Sequence, residues 1–354
     1  MKSLLLTVFL IFSVFFSGEN PDNLKINELQ VIGSHNSYKL AIDPELFKLV
    51  SKNAKDMSGL DYSHIGLSEQ LNLGLRNLEI DVYSDTIGGK YATPLGMKLV
   101  KNQPEFDPSQ KMKLPGFKVF HVQDIDFRSH NLLLRDDLKE LKKWSDAHPA
   151  HEPVFITMNA KDDVIEKAGF TVPEKFTARS FDLLEEELKT NLGLNKLITP
   201  SGIQGKYSTL EEAVLHFNWP KLKNARGKFI FILDETGTKR KDFINNHPSL
   251  KGRIMFANAE PGTPEAAILI INDPKKDGMK IQEYVKKGYI VRTRADADTR
   301  QARENDYSQF EAAKASGAQI ITTDYYRKST HFKSDYEVFF EKGVFVRKNP
   351  VIHH

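Results

Sequence analysis

The 354-residue sequence predicts an α/β protein: a single TIM-type (β/α)8 barrel, regular or distorted, with long loop insertions. The main observation is an alternation. Past residue 25, short apolar runs alternate with segments whose apolar residues recur every three or four positions, the pattern of strands joined by amphipathic helices. Eight such runs with helices between them suit a closed parallel barrel. No internal repeat and no shift of composition divides the chain, so one domain over residues 25–350 is expected.

The first segment reads as an export signal over residues 1–18. Lys2 supplies a positive charge, residues 4–16 are almost unbrokenly apolar, and Ser17-Gly18-Glu19 ends the run. This run is short for a membrane span, which needs about 20 residues. Phe16 makes a poor cleavage site, so an uncleaved anchor stays open, and no Cys follows for lipid attachment. The expected location is exported, periplasmic or secreted. The strand-like runs are 29–34, 77–82, 117–122, 154–158, 229–233, 254–257, 289–293 and 319–323, each rich in Val, Ile or Phe. An additional run, 267–271, reads as a ninth strand or a buried helix. Helices are expected over 131–148, 177–191, 277–287 and 299–316. Two long polar stretches, 83–114 and 193–228, exceed ordinary connections and read as functional or capping insertions.

Composition narrows the function. With 50 Lys or Arg against 47 Asp or Glu, the net charge is +3, so no nucleic-acid partner is indicated. Absence of cysteine excludes disulfides, thiolate metal sites and a cysteine nucleophile. No protein partner is inferred. No phosphate loop of the form G-x-x-x-x-G-K-[ST] occurs, which disfavours nucleotide-driven transfer.

In a barrel of this kind chemistry sits at the C-terminal ends of the strands. The first run ends in Ser34-His35-Asn36-Ser37-Tyr38, and the second holds Glu79 and Asp81. Those two carboxylates stand two apart, so on a strand they face the same way. They repel and lose hydration unless a cation or an arginine compensates them. The third run ends in His121, then Gln123, Asp124 and Asp126; the fourth ends in Asn159 and Lys161. The last two runs carry Arg292 with Arg294 and Thr323-Asp324-Tyr325-Tyr326. Two histidines can serve as general base and general acid. Two carboxylates with an Asn amide oxygen make a hard, all-oxygen site suited to Ca2+ or Mg2+. Arginine and lysine suit a phosphate. The set describes in-line attack at a phosphodiester.

The chain resembles the calcium-dependent phosphoinositide-specific phospholipases C of bacteria and fungi, within the phospholipase C and glycerophosphodiesterase superfamily. The segments that carry the resemblance are VIGSHNSYK (31–39), LDYSHIGLSEQLNLGLRNLEIDVYSD (60–85), FKVFHVQDIDFRS (117–129), VFITMNAKDD (154–163), YIVRTRADADTRQAR (289–303) and SGAQIITTDYY (316–326). The resemblance implies a barrel enzyme that cleaves a phosphoinositide lipid at a membrane surface, with Ca2+ as cofactor. It implies His35 and His121 as the catalytic pair and Asn36, Glu79 and Asp81 as calcium ligands. The position of the fourth ligand falls on Asn159, where the family tends to have Glu, and Asp126 is the other candidate. Lys161, Arg292, Arg294, Tyr325 and Tyr326 are implied as substrate-binding residues. Which histidine is base and which is acid stays open, as do two other readings: a glycerophosphodiester phosphodiesterase and a non-catalytic inositol-phosphate-binding barrel. His64 is expected to fix the loop before the second strand. Lys239-Arg240-Lys241 and Lys275-Lys276 read as solvated faces or aids to docking on anionic lipid.

Overall fold

The computed structural model describes residues 20–52 and 56–352; the expected export leader, 1–18, lies outside the described residues. The described residues form ten strands: β1 (Leu29–Ser34), β2 (Asn77–Tyr83), β3 (Lys118–Val119), β4 (Val154–Ala160), β5 (Phe229–Leu233), β6 (Phe256–Ala257), β7 (Ile268–Ile270), β8 (Ile290–Arg294), β9 (Ile320–Thr323) and β10 (Val346–Lys348). Eight of them run in the order β6-β5-β4-β2-β1-β9-β8-β7, with parallel pairing throughout. A single parallel bridge, Asn258 to Ile268, joins the two ends and makes the sheet a nearly closed barrel. The short apolar runs become strands because their β-branched and aromatic residues are buried on both faces, as parallel strands under helices require.

The expected run 117–122 departs from this plan. Only Lys118–Val119 is a strand, and it pairs antiparallel with the end of β2, outside the barrel. Its place is taken by the run 267–271, whose Ile268–Ile270 is β7. The run 154–158 is therefore the third barrel strand rather than the fourth. The expected helix 299–316 is two helices, Arg300–Glu304 and Ser308–Ser316, interrupted at Asn305, which takes a left-handed φ of 55°. The insertions are folded: 193–228 holds helices Pro200–Gln204, Leu210–Leu215 and Leu222–Ala225.

Two local features set the site. Gly33 pairs with Asn77 where β1 meets β2, and a Cβ there would collide with the Asn77 backbone, so the strands approach closely only because this residue is Gly. Beyond β1 the turn is pinned to β2: Ser37 N–H donates to Glu79 O at 2.9 Å, and Glu79 N–H to Ser37 Oγ at 2.7 Å. Asn36 in this turn has a φ of 47°, a conformation Asn tolerates better than most residues.

Candidate active site

The C-terminal mouth of the barrel opens on a cavity of about 680 Å3, within the ordinary size of ligand pockets. His35, Asn36, Glu79, Asp81, His121, Asn159, Lys161 and Arg294 all line it. The β2–β4 register sets Asp81 directly beside Asn159. Glu79 faces the same cavity because it stands two residues before Asp81 on the strand.

Each histidine is backed by a carboxylate. His35 Nδ1 lies 3.0 Å from Asp324 Oδ1, and His121 Nδ1 lies 2.8 Å from Asp126 Oδ2. Both carboxylates are buried, and with Nδ1–H donated to them each imidazole is left with Nε2 to exchange a proton. Burial by itself would raise Asp324; the imidazoles of His35 and His64 outweigh it and hold the carboxyl well below the usual range. Asp296 gives the opposite case: burial, then the charge of Asp324, push it up to about 7. It accepts from the Asp324 N–H at 3.0 Å and from the Thr323 hydroxyl. Asp126 is held from behind by the fully buried Lys39, Nζ to Oδ1 3.3 Å. Lys39 also donates to the carbonyls of Leu60 and Tyr62 at 3.0 and 2.9 Å, tying the Tyr62 loop to this pair.

The two clustered carboxylates are compensated by protein cations. Arg292 Nη2 donates to Glu79 Oε2 at 2.5 Å, and Lys161 Nζ lies 3.5 Å from Asp81 Oδ2. Burial would raise Glu79, but His35, Arg292 and Arg294 together hold it below its usual value. Asp81 raises Lys161 in turn. The remaining oxygens, Glu79 Oε1 and Asp81 Oδ1, converge on one group, the Asn159 Nδ2, at 3.0 Å each. Arg294 differs from Arg292: among the described residues its guanidinium has no hydrogen-bond or ion-pair partner, although the buried Nε of both is unsatisfied. It is the side chain left available for an anion.

Three of the expected substrate-side residues do not line the cavity. Arg292 is fully buried between Glu79 and Asn272, because it points from the strand into the barrel interior. Tyr325 and Tyr326 are buried below the rim, Tyr325 against Phe332 and Tyr336, and Tyr326 stacked on His64. Asp126, the other candidate ligand, does not reach the cavity, since both its oxygens face His121 and Lys39. His64 does hold its loop, through Nε2 donated to the carbonyl of His35 at 2.7 Å. Of the basic runs, Lys239 turns inward to Glu235 Oε2 at 2.8 Å and Ala160 O at 2.6 Å, and Lys275 donates to Ser308 Oγ at 3.0 Å. Asp324, which the sequence places at the end of the last run without a role, and Tyr62 also line the cavity, as do Asp56, Asp298 and Arg300. The signal for Asp324 was present, as the one acidic residue ending the last barrel strand. Tyr62 carried none.

The donor set fits calcium. Glu79 and Asp81 supply two carboxylates and Asn36 an amide oxygen, all hard oxygen donors; Asn159 turns its Nδ2 to both carboxylates and would offer Oδ1 once its amide rotates. The convergence of the Glu79 and Asp81 oxygens on a single donor marks where a cation would be held. Among the described residues no group of three or more His, Asp or Glu is arranged to hold a metal, so the site depends on its amides.

A parallel barrel with two carboxylate-backed histidines and a free guanidinium at its mouth has the make-up of a phosphodiester-cleaving enzyme. The chain belongs to the Ca2+-dependent phosphoinositide phospholipase C family, whose model matches residues 24–350. Ca2+ is accordingly the cofactor of this family. Solved structures agree in fold. A calcium-dependent phosphoinositol-specific phospholipase C from Pseudomonas sp., in its myoinositol complex, aligns with a TM-score of 0.54 at 17% identity, covering 94% of this chain and 100% of that one. The Ca2+-dependent enzyme from Streptomyces antibioticus aligns at 0.53 and 16% identity, covering 85% and 95%. The phosphatidylinositol-specific phospholipase C of Listeria monocytogenes aligns at 0.50 and 12% identity, covering 87% and 92%. No match is found among curated protein sequences.

Proposed function

We propose that this protein cleaves the phosphodiester of phosphatidylinositol-type lipids, giving diacylglycerol and a cyclic inositol phosphate. The observation that carries the reading is the pair His35 and His121 on one cavity, each with Nδ1 on a buried carboxylate. The ring hydroxyl beside the phosphate is the nucleophile. His35 Nε2 lies 3.6 Å from Glu79 Oε1 and takes the hydroxyl proton. His121 returns a proton to the diacylglycerol oxygen as it leaves. A nucleophile carried on the substrate already has a high effective molarity, so proton transfer and charge stabilisation are the enzyme's main tasks. The Arg294 guanidinium meets the phosphate and Lys161 supports it, which suits a bidentate donor with no partner among the described residues.

Ca2+ would be held by Asn36, Glu79, Asp81 and Asn159, and would there lower the pKa of a bound hydroxyl and offset phosphate charge. The lipid's acyl chains stay in the bilayer, so the mouth of the barrel faces a membrane. Loops after β2 and β4, the strands of Glu79, Asp81 and Asn159, carry Ile87, Val164 and Val172, which are 86%, 45% and 58% exposed. Exposed aliphatic side chains beside the mouth suit contact with lipid. Export places the enzyme with external membranes; among the described residues no helix is long and apolar enough to cross one.

The test is turnover of phosphatidylinositol vesicles by purified protein, followed by phosphorus NMR, with calcium and then with chelator. Calcium-dependent cyclic inositol phosphate supports the reading. Turnover confined to soluble glycerophosphoinositol, with glycerol phosphate released, makes the protein a glycerophosphodiesterase instead. Tight inositol phosphate binding with no turnover of either makes it a binding protein.

A further inference from the structure

Beside the main cavity, on the far side of Tyr62 and Asp324, lies a second, smaller pocket under the loop 327–331. Ser63 and His331 both line it. Ser63 Oγ is 2.9 Å from His331 Nε2, and His331 Nδ1 is 2.8 Å from Asp61 Oδ1. Asp61 is fixed in turn by Arg303 Nη2 at 2.7 Å from its other oxygen. The phosphodiesterase reading uses none of these four residues.

We propose that Ser63, His331 and Asp61 form a second, independent hydrolytic site that acts on small carboxyl esters. The geometry is that of a nucleophile, a base and an orienting carboxylate, each in hydrogen-bond reach of the next. The ring nitrogens are used in the required order: with Nδ1–H donated to Asp61, Nε2 is the acceptor for the Ser63 hydroxyl. Such arrangements are recognised by geometry and roles, and arise on unrelated folds. His331 is 17% exposed at its side chain, which leaves the base reachable from solvent.

A second observation points to a ligand. The hydroxyl of Tyr325 is buried and has no hydrogen-bond partner among the described residues, and Tyr325 lines this same pocket. A buried hydroxyl without a partner has lost its hydration, a cost removed when an acceptor arrives. A carbonyl oxygen that becomes an oxyanion is such an acceptor. The pocket is about 10 Å3, room for one oxygen-sized group and none for a lipid chain. The ester therefore enters by its carbonyl, with its acyl and alkoxy groups directed to solvent.

The step balances without any further reagent. Ser63 Oγ bonds to the carbonyl carbon while its proton passes to His331 Nε2. The alkoxy C–O bond breaks and the alcohol leaves with that proton. Water then attacks the acyl-serine by the same route, giving a carboxylic acid and restoring Ser63.

The probes are a fluorophosphonate, which traps an activated serine with loss of fluoride, and p-nitrophenyl acetate. Full-length protein is expected to carry the phosphonyl group on Ser63, found by peptide mass analysis, and to release p-nitrophenolate. Labelling at Ser63 is expected to slow by about 10²-fold in His331→Gln, the usual size of a lost general base, and to fall also in Asp61→Asn. Ser63→Ala is expected to abolish both signals. Wild-type protein that takes no label at Ser63, while a known serine hydrolase in the same tube is labelled, overturns the proposal. So does labelling at Ser63 that His331→Gln leaves unchanged. Because the wild-type labelling needs no variant to fold, the proposal stays open to refutation in either case.

Discussion

Asn159→Glu tests whether the carboxylates of β2 face a cation. In the structure Asn159 Nδ2 donates to Glu79 Oε1 and to Asp81 Oδ1, at 3.0 Å each. A hydrogen bond to a charged group contributes about 1.5–3 kcal/mol, so losing both costs roughly 3 kcal/mol before any repulsion from a third carboxylate. A chain of this size changes its melting temperature by about 1.4 °C per kcal/mol, from about 2 cal/mol/K per residue. In chelator the variant is therefore expected to melt about 4 °C below the wild type. Calcium reverses the sign of the interaction, because a third carboxylate adds charge and a bidentate option to the ligand set. A roughly tenfold lower half-saturating calcium concentration corresponds to about 1.4 kcal/mol. Saturating calcium should then raise the variant's melting temperature by about 2 °C more than the wild type's. The assay is calorimetry of both proteins in chelator and through a calcium titration at constant ionic strength. Equal melting in chelator would show that residue 159 does not touch the carboxylates. A lower melting temperature in chelator without a larger calcium shift would show that they converge, but not on calcium.

Two other predictions follow from the site. His35→Ala and His121→Ala are each expected to lower turnover by at least ~10² with the fold intact, the size of a general acid or base effect; a variant that keeps most of its activity removes that histidine from the mechanism. Asp296 concerns stability against pH. Its carboxyl, pushed up to about 7 in the folded chain, has a usual value near 3.9. The folded state thus holds the proton across that window, and stability falls as pH rises from about 4 through 7. Asp324, held low, acts only below that window. Asp296→Asn is expected to flatten the decline in melting temperature between pH 5 and pH 8, and an unchanged slope refutes the assignment.

Much of this protein was legible in its sequence. The β-branched runs, their alternation with helical periodicity and the absence of a repeat point to a single barrel, because each is a local consequence of burying strand faces under helices. His35, Glu79, Asp81, His121 and Asn159 were found by position at strand ends and by the two-residue period of a strand, and these five line the cavity. Tertiary structure decided which runs pair. The run 117–122 is as apolar as its neighbours, yet it pairs antiparallel outside the barrel while 267–271 supplies β7. Strand pairing is a contact between distant segments, and no local period encodes it. The same holds for side-chain partners. Asp324 reaches His35 across 289 residues, and Ser63 reaches His331 across 268. Arg292 and Arg294 stand two apart on β8 and look equivalent as sequence. Glu79, 213 residues away, takes the first into the barrel interior, and the second is left at the cavity with no partner among the described residues.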